Sequence, residues 1–545
     1  MTKPLANNPM QLPQPISFII AIVALAAIYI AGLQVDVMDI DASQYASIAL
    51  EMLQNGKYLQ VQHLGQDYLD KPPLLLWTSA LAFKLFGVHN WSYKLFSLLF
   101  STLGAYSTYR FAKLYYSNQI AVWSALMLSS CQALFLINND VRTDTMLVGA
   151  VIFAIWQIAD YLQTGRAINI IGAAVGIALA MLAKGPIGLM VPVLAFGSDW
   201  AFKGQWRNFF RWQWLVLILL VSVFLWPMLH GLYLQHGSFG PYFYFWAQSF
   251  GRLTGDNPFI NSGLGNQPPS PLFFVHTILW SFLPWSALAI GGLWSSASRF
   301  FKNGFRVVAT DEVITLWGFI LPFIALSFSD YKLPHYIYVV LPFTAILASN
   351  FAVNLQAHIS AWRITHTVLL ALLLPFALVL GLWAFPITSM LLWVAFAILS
   401  LLAIYHMLDS KQWLVACLFA MLGANLLLNA GVYPKLMQYQ STSVAGKDIT
   451  ALKPANFFSV YARGNALEFY ALHQGQNLKY TPKQFAAGTI IYTNPEGLQE
   501  LQNNGIGFSL LKTYPHYKVT ALTWAFINPA TRASKLQERY LLEVQ

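Results

Sequence analysis

Apolar runs long enough to cross a bilayer follow one another along most of the chain, separated by short polar joints. A spanning helix takes about 20 predominantly apolar residues. Thirteen segments meet this pattern, at about 16–34, 94–112, 119–137, 142–163, 168–183, 186–203, 211–232, 271–294, 312–328, 334–356, 362–384, 388–406 and 412–430. Some are parted by a single turn, as at Lys184-Gly185-Pro186 and Phe385-Pro386. Three stretches break the series: a first loop (35–93), a second loop (233–270) and a tail from about 435. In the tail the apolar period shortens. Phe457–Tyr461, Thr489–Thr493 and Val519–Ile527 read as strands, and Glu496–Asn503 as a polar helix. Within the first loop, Tyr45, Ile48, Ala49, Met52 and Leu53 fall on one helical face, opposite Ser43, Gln44, Ser47 and Glu51. That spacing predicts an amphipathic helix lying in the membrane interface. The pattern gives an all-α polytopic membrane domain over 1–434 and a small α/β domain over 435–545.

Composition supports this division. Apolar residues make up 57% of the chain and charged residues 10%, and the mean hydropathy is +0.54. A soluble protein of this length would need more charge to cover its domains. The net charge of +10 does not point to nucleic acid, because Lys and Arg are scattered between apolar spans. Both cysteines, Cys131 and Cys417, lie inside apolar segments, so no disulfide framework is implied. The first apolar run is too long for a signal-peptide core and reads as a retained helix.

Loop charge predicts orientation. With the N-terminus in the cytoplasm, inner loops hold Arg110, Lys113, Arg166, Lys203, Arg207, Arg211, Arg299, Lys302, Arg306, Arg363 and Lys411. The short outer loops hold only Arg142, Lys184 and Lys332. Cytoplasmic loops are enriched in Lys and Arg, so the first loop and the tail are expected outside. No internal repeat of fixed period is visible, which weakens a transporter of two matching halves.

The three exceptions carry the chemistry. Each has an acid or a kink beside it: Arg142-Thr-Asp144, Lys184-Gly-Pro186 and Asp330-Tyr-Lys332-Leu-Pro334. Each lies at an outer helix end, level with Asp39, Asp41, Asp70 and Lys71 of the first loop. Ionisable groups at a membrane boundary are costly unless paired or solvated, so such a cluster marks a site. Converging cations neutralise phosphate oxygens, and a nearby carboxylate can act as base or hold a metal.

The stretches Asp41-Ala-Ser-Gln-Tyr45, Glu51-Met-Leu-Gln-Asn-Gly56 and Tyr68-Leu-Asp-Lys-Pro-Pro-Leu74 resemble the first periplasmic loop of bacterial ArnT-type glycosyltransferases, within the protein O-mannosyltransferase superfamily of GT-C membrane enzymes. Arg142-Thr-Asp144, Leu182-Ala-Lys-Gly-Pro186, Ser329-Asp-Tyr-Lys-Leu-Pro-His-Tyr336 and Leu341-Pro342 agree with it. The resemblance implies a bacterial inner-membrane enzyme that moves a sugar from an undecaprenyl-phosphate donor to lipid A or another envelope glycan at the periplasmic face. It implies Asp41 and Asp144 as catalytic carboxylates, and Lys71, Arg142, Lys184 and Lys332 as phosphate-binding cations. Tyr45, Tyr68 and Tyr336 would line the cavity. A divalent metal, zinc or magnesium, would sit on Asp70 and His276, although a lone histidine at a helix end also reads as a structural residue. No organic cofactor is implied.

Three positions depart from the family pattern: Ala42 stands where a second acid is frequent, Gln44 where an arginine commonly precedes the tyrosine, and Asp70 where glutamate is usual. Other readings stay open. They are a protein O-glycosyltransferase, a transferase decorating another polysaccharide, and a transporter of lipid-linked sugars.

Overall fold

The structure is a computed structural model that describes residues 11–247, 270–305, 307, 311–355, 359–472, 476–478 and 484–545. Each of the thirteen expected segments contains helix among its described residues. Among the described residues, however, eight helices are long and apolar enough to cross a membrane, or nine if the bent pair 118–129 and 132–139 is one span. The difference has identifiable causes. The helix Asn90–Tyr115 (α4) carries Lys94, Arg110 and Lys113. Ile187–Phe202 (α9) and Ile314–Ser327 have 16 and 14 residues. The expected span at 271–294 is broken into Phe273–Ser281 and Ser286–Lys302. Most of the second loop, from 248 to 269, lies outside the described residues.

The first helix, Pro15–Gln34 (α1), ends where the first loop begins. Lys94 is fully buried and donates to the carbonyls of Gly32 (3.1 Å) and Val35 (2.7 Å), which satisfies acceptors that the end of α1 leaves open. The bundle is centred on Thr143–Thr164 (α7), most of whose side chains are buried. It packs against α4 and against Ala167–Lys184 (α8). Small residues allow the approach. A Cβ on Gly149 of α7 would strike the Phe100 carbonyl of α4, and one on Gly176 of α8 would come within 2.9 Å of Ala154 of α7. Close backbone approach at small residues is the usual means of packing helices within a membrane, where lipid and side chains are equally apolar.

The tail is a five-stranded mixed sheet. Its strands are Phe457–Val460 (β3), Gln476–Leu478 (β4), Ile490–Thr493 (β5), Phe508–His516 (β6) and Gln537–Val544 (β7), in spatial order β4-β3-β5-β7-β6, while β1 and β2 form a two-residue hairpin (62–67) in the first loop. β5 pairs parallel to β3 and antiparallel to β7, and all four of its residues are buried, as befits a strand covered on both faces. The expected strand at 519–527 is instead a turn followed by a short helix, Trp524–Ile527. Its Phe526 packs on Phe385 and Tyr439 beside the membrane helices rather than into the sheet.

The largest correction concerns the first loop. The amphipathic helix forms, as Asp41–Asn55 (α2), but both faces are buried, including Ser43, Ser47 and Glu51 of the polar face. On one side α2 packs against the helix Leu74–Phe86 (α3). On the other it is covered by the tail helix Asn465–Ala471. Ser47 donates to Glu468 (3.3 Å) and Gln54 to the Leu472 carbonyl (2.9 Å). The polar face meets a protein domain, not water.

Candidate active site

Each charged residue of interest stands where a helix starts or stops. Asp70 and Lys71 precede Pro72-Pro73, which open α3, since proline is tolerated where the first N–H groups have no intrahelical partner. Asp144 lies in the first turn of α7 and Lys184 in the last turn of α8, ends whose dipoles favour those charges. Gly185, at φ +84°, then takes a conformation few other residues adopt, and Pro186 leads into α9. Lys332 and Tyr336 flank Pro334, which starts a 3-10 turn.

The fold brings these ends together. Arg142 uses three donors at once: Nη1 to Asp41, and Nε (3.1 Å) and Nη2 (2.7 Å) to Asp140. Lys184 donates to Asp144 and lies 3.6 Å from the centre of the Tyr336 ring, a cation–π contact. His335 Nε2 is 3.7 Å from the other Asp144 oxygen. Lys71 pairs with Asp70 at 2.7 Å, and the charges of Lys71, Lys184 and Arg142 all reach His335. Lys332 is buried three residues before it. Tyr45 is buried beside Asp41, Asp70, Arg142 and Tyr68. Burial pushes the Asp140 carboxyl up, against the pull of Arg142.

Exposure separates the pairs. The Asp144 side chain is 3% exposed, Asp41 37% and Asp70 51%. The Lys184–Asp144 pair is thus an internal element, whereas Lys71 pairs with an exposed acid and Arg142 is shared between Asp140 and the exposed Asp41. Beside Lys71 a small pocket is lined by Leu59, Val61, Tyr68, Trp77, Met228 and Phe243, among others. A larger pocket lies around Tyr116, Arg299 and Glu312 and contains none of the expected site residues. There Tyr116 and Thr315 already donate to Glu312.

Two residues of the cluster have no place in the sequence reading. Asp140 ends the polar run Asn138-Asn139-Asp140, and nothing in its spacing marks it. His335 stands inside a quoted motif, three residues after Lys332, and that proximity was the available signal. Asp39 was expected among the site acids but faces the tail, accepting from Thr442 (2.7 Å) and the Ala466 N–H (3.1 Å). His276 is exposed on its helix, Asp70 pairs with Lys71, and no group of three or more His, Cys, Asp or Glu is placed to share an ion among the described residues.

Known proteins resemble the chain in sequence and in fold. The sequence model of the dolichyl-phosphate-mannose-protein mannosyltransferase family matches residues 70–230. The undecaprenyl phosphate-alpha-4-amino-4-deoxy-L-arabinose arabinosyl transferase of Shewanella sediminis is 28% identical over 337 residues, 60% of this chain and 57% of that protein. Its counterpart in Edwardsiella ictaluri is 24% identical over 426 residues, 73% of each chain. Matches to such relatives thus often span little more than half of the relative's length, as in the Shewanella case. The crystal structure of ArnT from Cupriavidus metallidurans bound to undecaprenyl phosphate superposes with a TM-score of 0.73 at 16% identity, covering 96% of this chain and 97% of that one. The apo structure gives the same score. The chain thus has the GT-C fold of ArnT and is a multi-pass membrane protein, similar in sequence to these arabinosyl transferases over part of their length.

Proposed function

We propose that the chain is a glycosyltransferase that moves a sugar from an undecaprenyl-phosphate donor to lipid A at the periplasmic face of the bacterial inner membrane. The observation that carries this reading is the convergence of Lys71, Arg142 and Lys184 with Asp41 and Asp144 at one end of an ArnT-like bundle. A polyprenyl phosphate leaves readily once its developing charge is stabilised, and fixed cations do this best where water is scarce. Lys71 and Arg142 each pair with an exposed acid, which the donor phosphate would displace. An apolar pocket opens beside Lys71, on the side where the lipid part of the donor would approach.

The acceptor would attack the anomeric carbon on the face away from the phosphate, inverting its configuration. Asp41 is the carboxylate open to it. For a hydroxyl acceptor Asp41 would take the proton; for an ionised lipid A phosphate no base is needed, and Asp41 with Arg142 would orient the acceptor. A metal requirement is a separate proposal, tested by chelation and return of zinc or magnesium to the purified enzyme.

The test is mass spectrometry of lipid A from cells that make the lipid-linked sugar, with wild type, with Asp41→Asn and without the gene. One added sugar in the wild type alone is the expected result. Unmodified lipid A alongside newly glycosylated protein would replace lipid A with a protein acceptor.

A further inference from the structure

Between the strands Phe508–His516 and Gln537–Val544 the chain leaves the sheet and lies against the ends of two membrane helices. Tyr517 donates its N–H to the carbonyl of Tyr439 (2.8 Å), the last residue of the apolar span Trp413–Tyr439. Arg532 donates through Nη2 to the carbonyl of Ala384, the last residue of the span Ile359–Ala384. Through Nε it also reaches the carbonyl of Phe526 (2.9 Å). Arg532 thus satisfies an acceptor that the helix end leaves open, and ties the tail to it. Phe526 is fully buried against Tyr517, Phe385 and Tyr439.

This anchorage holds a turn in place. The Ala521 N–H donates to the Lys518 carbonyl (2.9 Å), and the Tyr517 hydroxyl bonds the Ala521 carbonyl (3.0 Å) and the Thr523 hydroxyl (3.1 Å). Val519 is buried, but Leu522 is 45% and Trp524 66% exposed. A turn bonded on both sides that presents its two largest apolar side chains outward is not explained by packing within the tail. The Trp524 ring lies against Trp383 of the span end, with centroids 5.9 Å apart. Leu382 and Trp383 are themselves exposed, as are Met390 and Leu391, which open the next span. Through Trp524 this apolar rim of the membrane helices runs on into the tail.

Charge fits the same surface. From Lys518 to Lys535 the sequence holds Lys518, Arg532 and Lys535 and no acid. Lys518 and Lys535 are exposed. Tryptophan concentrates at membrane–water boundaries, where its ring meets acyl chains and its N–H meets headgroups or water. Cations beside it are drawn to lipid phosphates. The helix ends that Trp524 joins belong to spans whose exposed apolar side chains face lipid, so a phospholipid leaflet is the surface within reach of the turn.

We infer that the turn 518–524 is a membrane anchor of the tail: Leu522 and Trp524 insert into the interfacial layer of the leaflet on the tail's side, and Lys518 meets lipid phosphates there. With Arg532 fastened to the end of the span Ile359–Ala384, this anchor sets the height of the tail above the bilayer. The inference rests neither on the transferase reading nor on which side of the membrane the tail lies.

The experiment uses the full chain in phospholipid nanodiscs that hold a single copy. Both native cysteines are fully buried, so Leu522→Cys and Lys453→Cys each take one polarity-sensitive fluorophore. The discs contain plain phospholipid, or phospholipid with a spin-label quencher near the headgroup end or near the methyl end of its acyl chain. The probe at 522 should be blue-shifted, and quenched more by the shallow label than by the deep one, as expected for interfacial insertion. The probe at 453, exposed elsewhere on the tail, should show a smaller shift and less quenching. Adding Trp524→Glu to Leu522→Cys should abolish the shift and the quenching. Trp524→Phe should retain them, which separates insertion from loss of the fold. Quenching at 522 no stronger than at 453 would overturn the inference, whether the turn is then left to water or to a protein partner. So would quenching that Trp524→Glu leaves unchanged, or that Trp524→Phe removes as fully as Trp524→Glu does.

Discussion

Arg142 is held from two sides, and the two holds differ in kind. Asp140 takes the Nε and Nη2 protons on one oxygen, while Asp41 takes Nη1. Because Asp140 sits behind the guanidinium, it is a positioning residue: it fixes the plane in which Nη1 meets Asp41 or, in its place, a phosphate. Asp140→Asn should leave the protein in the membrane but lower sugar transfer by about ten- to a hundredfold, the range for losing charge-assisted bonds to a buried cation. Since Asp140 acts through Arg142, adding Asp140→Asn to Arg142→Ala should cost little more, and a transfer assay on the four variants measures this coupling. Additive losses would mean that Asp140 has an independent role. At this scale the sequence was informative where charge broke the topology pattern, as at Arg142, Lys184 and Lys332. It was silent where an acid sat in an ordinary polar turn. The partners of a charge depend on which helix ends the fold brings together, and Asp140 became visible only through Arg142.

The element that misled was α2. Its alternation of apolar and polar faces is real, but periodicity records which face is polar without recording what covers it. Here the cover is the tail helix, and the contact includes Glu468, whose carboxyl burial pushes up to about 7 from an ordinary 4.5. Ser47 and Arg463 pull it down; Glu51 and Asp39 push it further up. A carboxyl raised in this way binds more protons folded than unfolded. The stability of the docked tail should therefore fall as pH rises from about 4.5 to about 7 and level off above that. Glu468→Gln keeps the shape and removes the charge. It should flatten part of that slope and give a higher Tm than wild type at about pH 8 with little change at about pH 5. Parallel pH profiles for the two proteins would show that Glu468 titrates alike in the docked and the unfolded tail, without the upward shift. The segment 519–527 failed for a related reason. Its apolar residues satisfy a strand pattern, but they are used against Phe385 and Tyr439 beside the bundle, so they serve the seam between the two parts instead of the sheet.

At the scale of the whole molecule, apolar run length over-counts spans wherever a helix is buried in protein. A helix of 14 residues such as Ile314–Ser327 is sustained by its neighbours and need not reach both faces of a bilayer. Loop charge is less sensitive to such errors, because helices that turn back in pairs leave their basic ends on one side. Arg110, Lys113, Arg166, Lys203, Arg207 and Arg211 all lie at or near helix ends opposite those that carry Asp41, Asp144 and Lys184. The proposed sidedness, with tail and site outside, follows from that bias, and the chain suits a direct test. Its two cysteines are fully buried, so the native background for a bulky, charged maleimide should be low. Lys453 is exposed on the tail and Arg207 is exposed at the opposite end. In intact spheroplasts Lys453→Cys should be labelled at once, and Arg207→Cys only after the membrane is made permeable. The reverse pattern would place Asp41 and the cations around it in the cytoplasm. A phosphate-linked donor would then be met on the opposite face of the membrane, and the periplasmic acceptor would have to be abandoned with it.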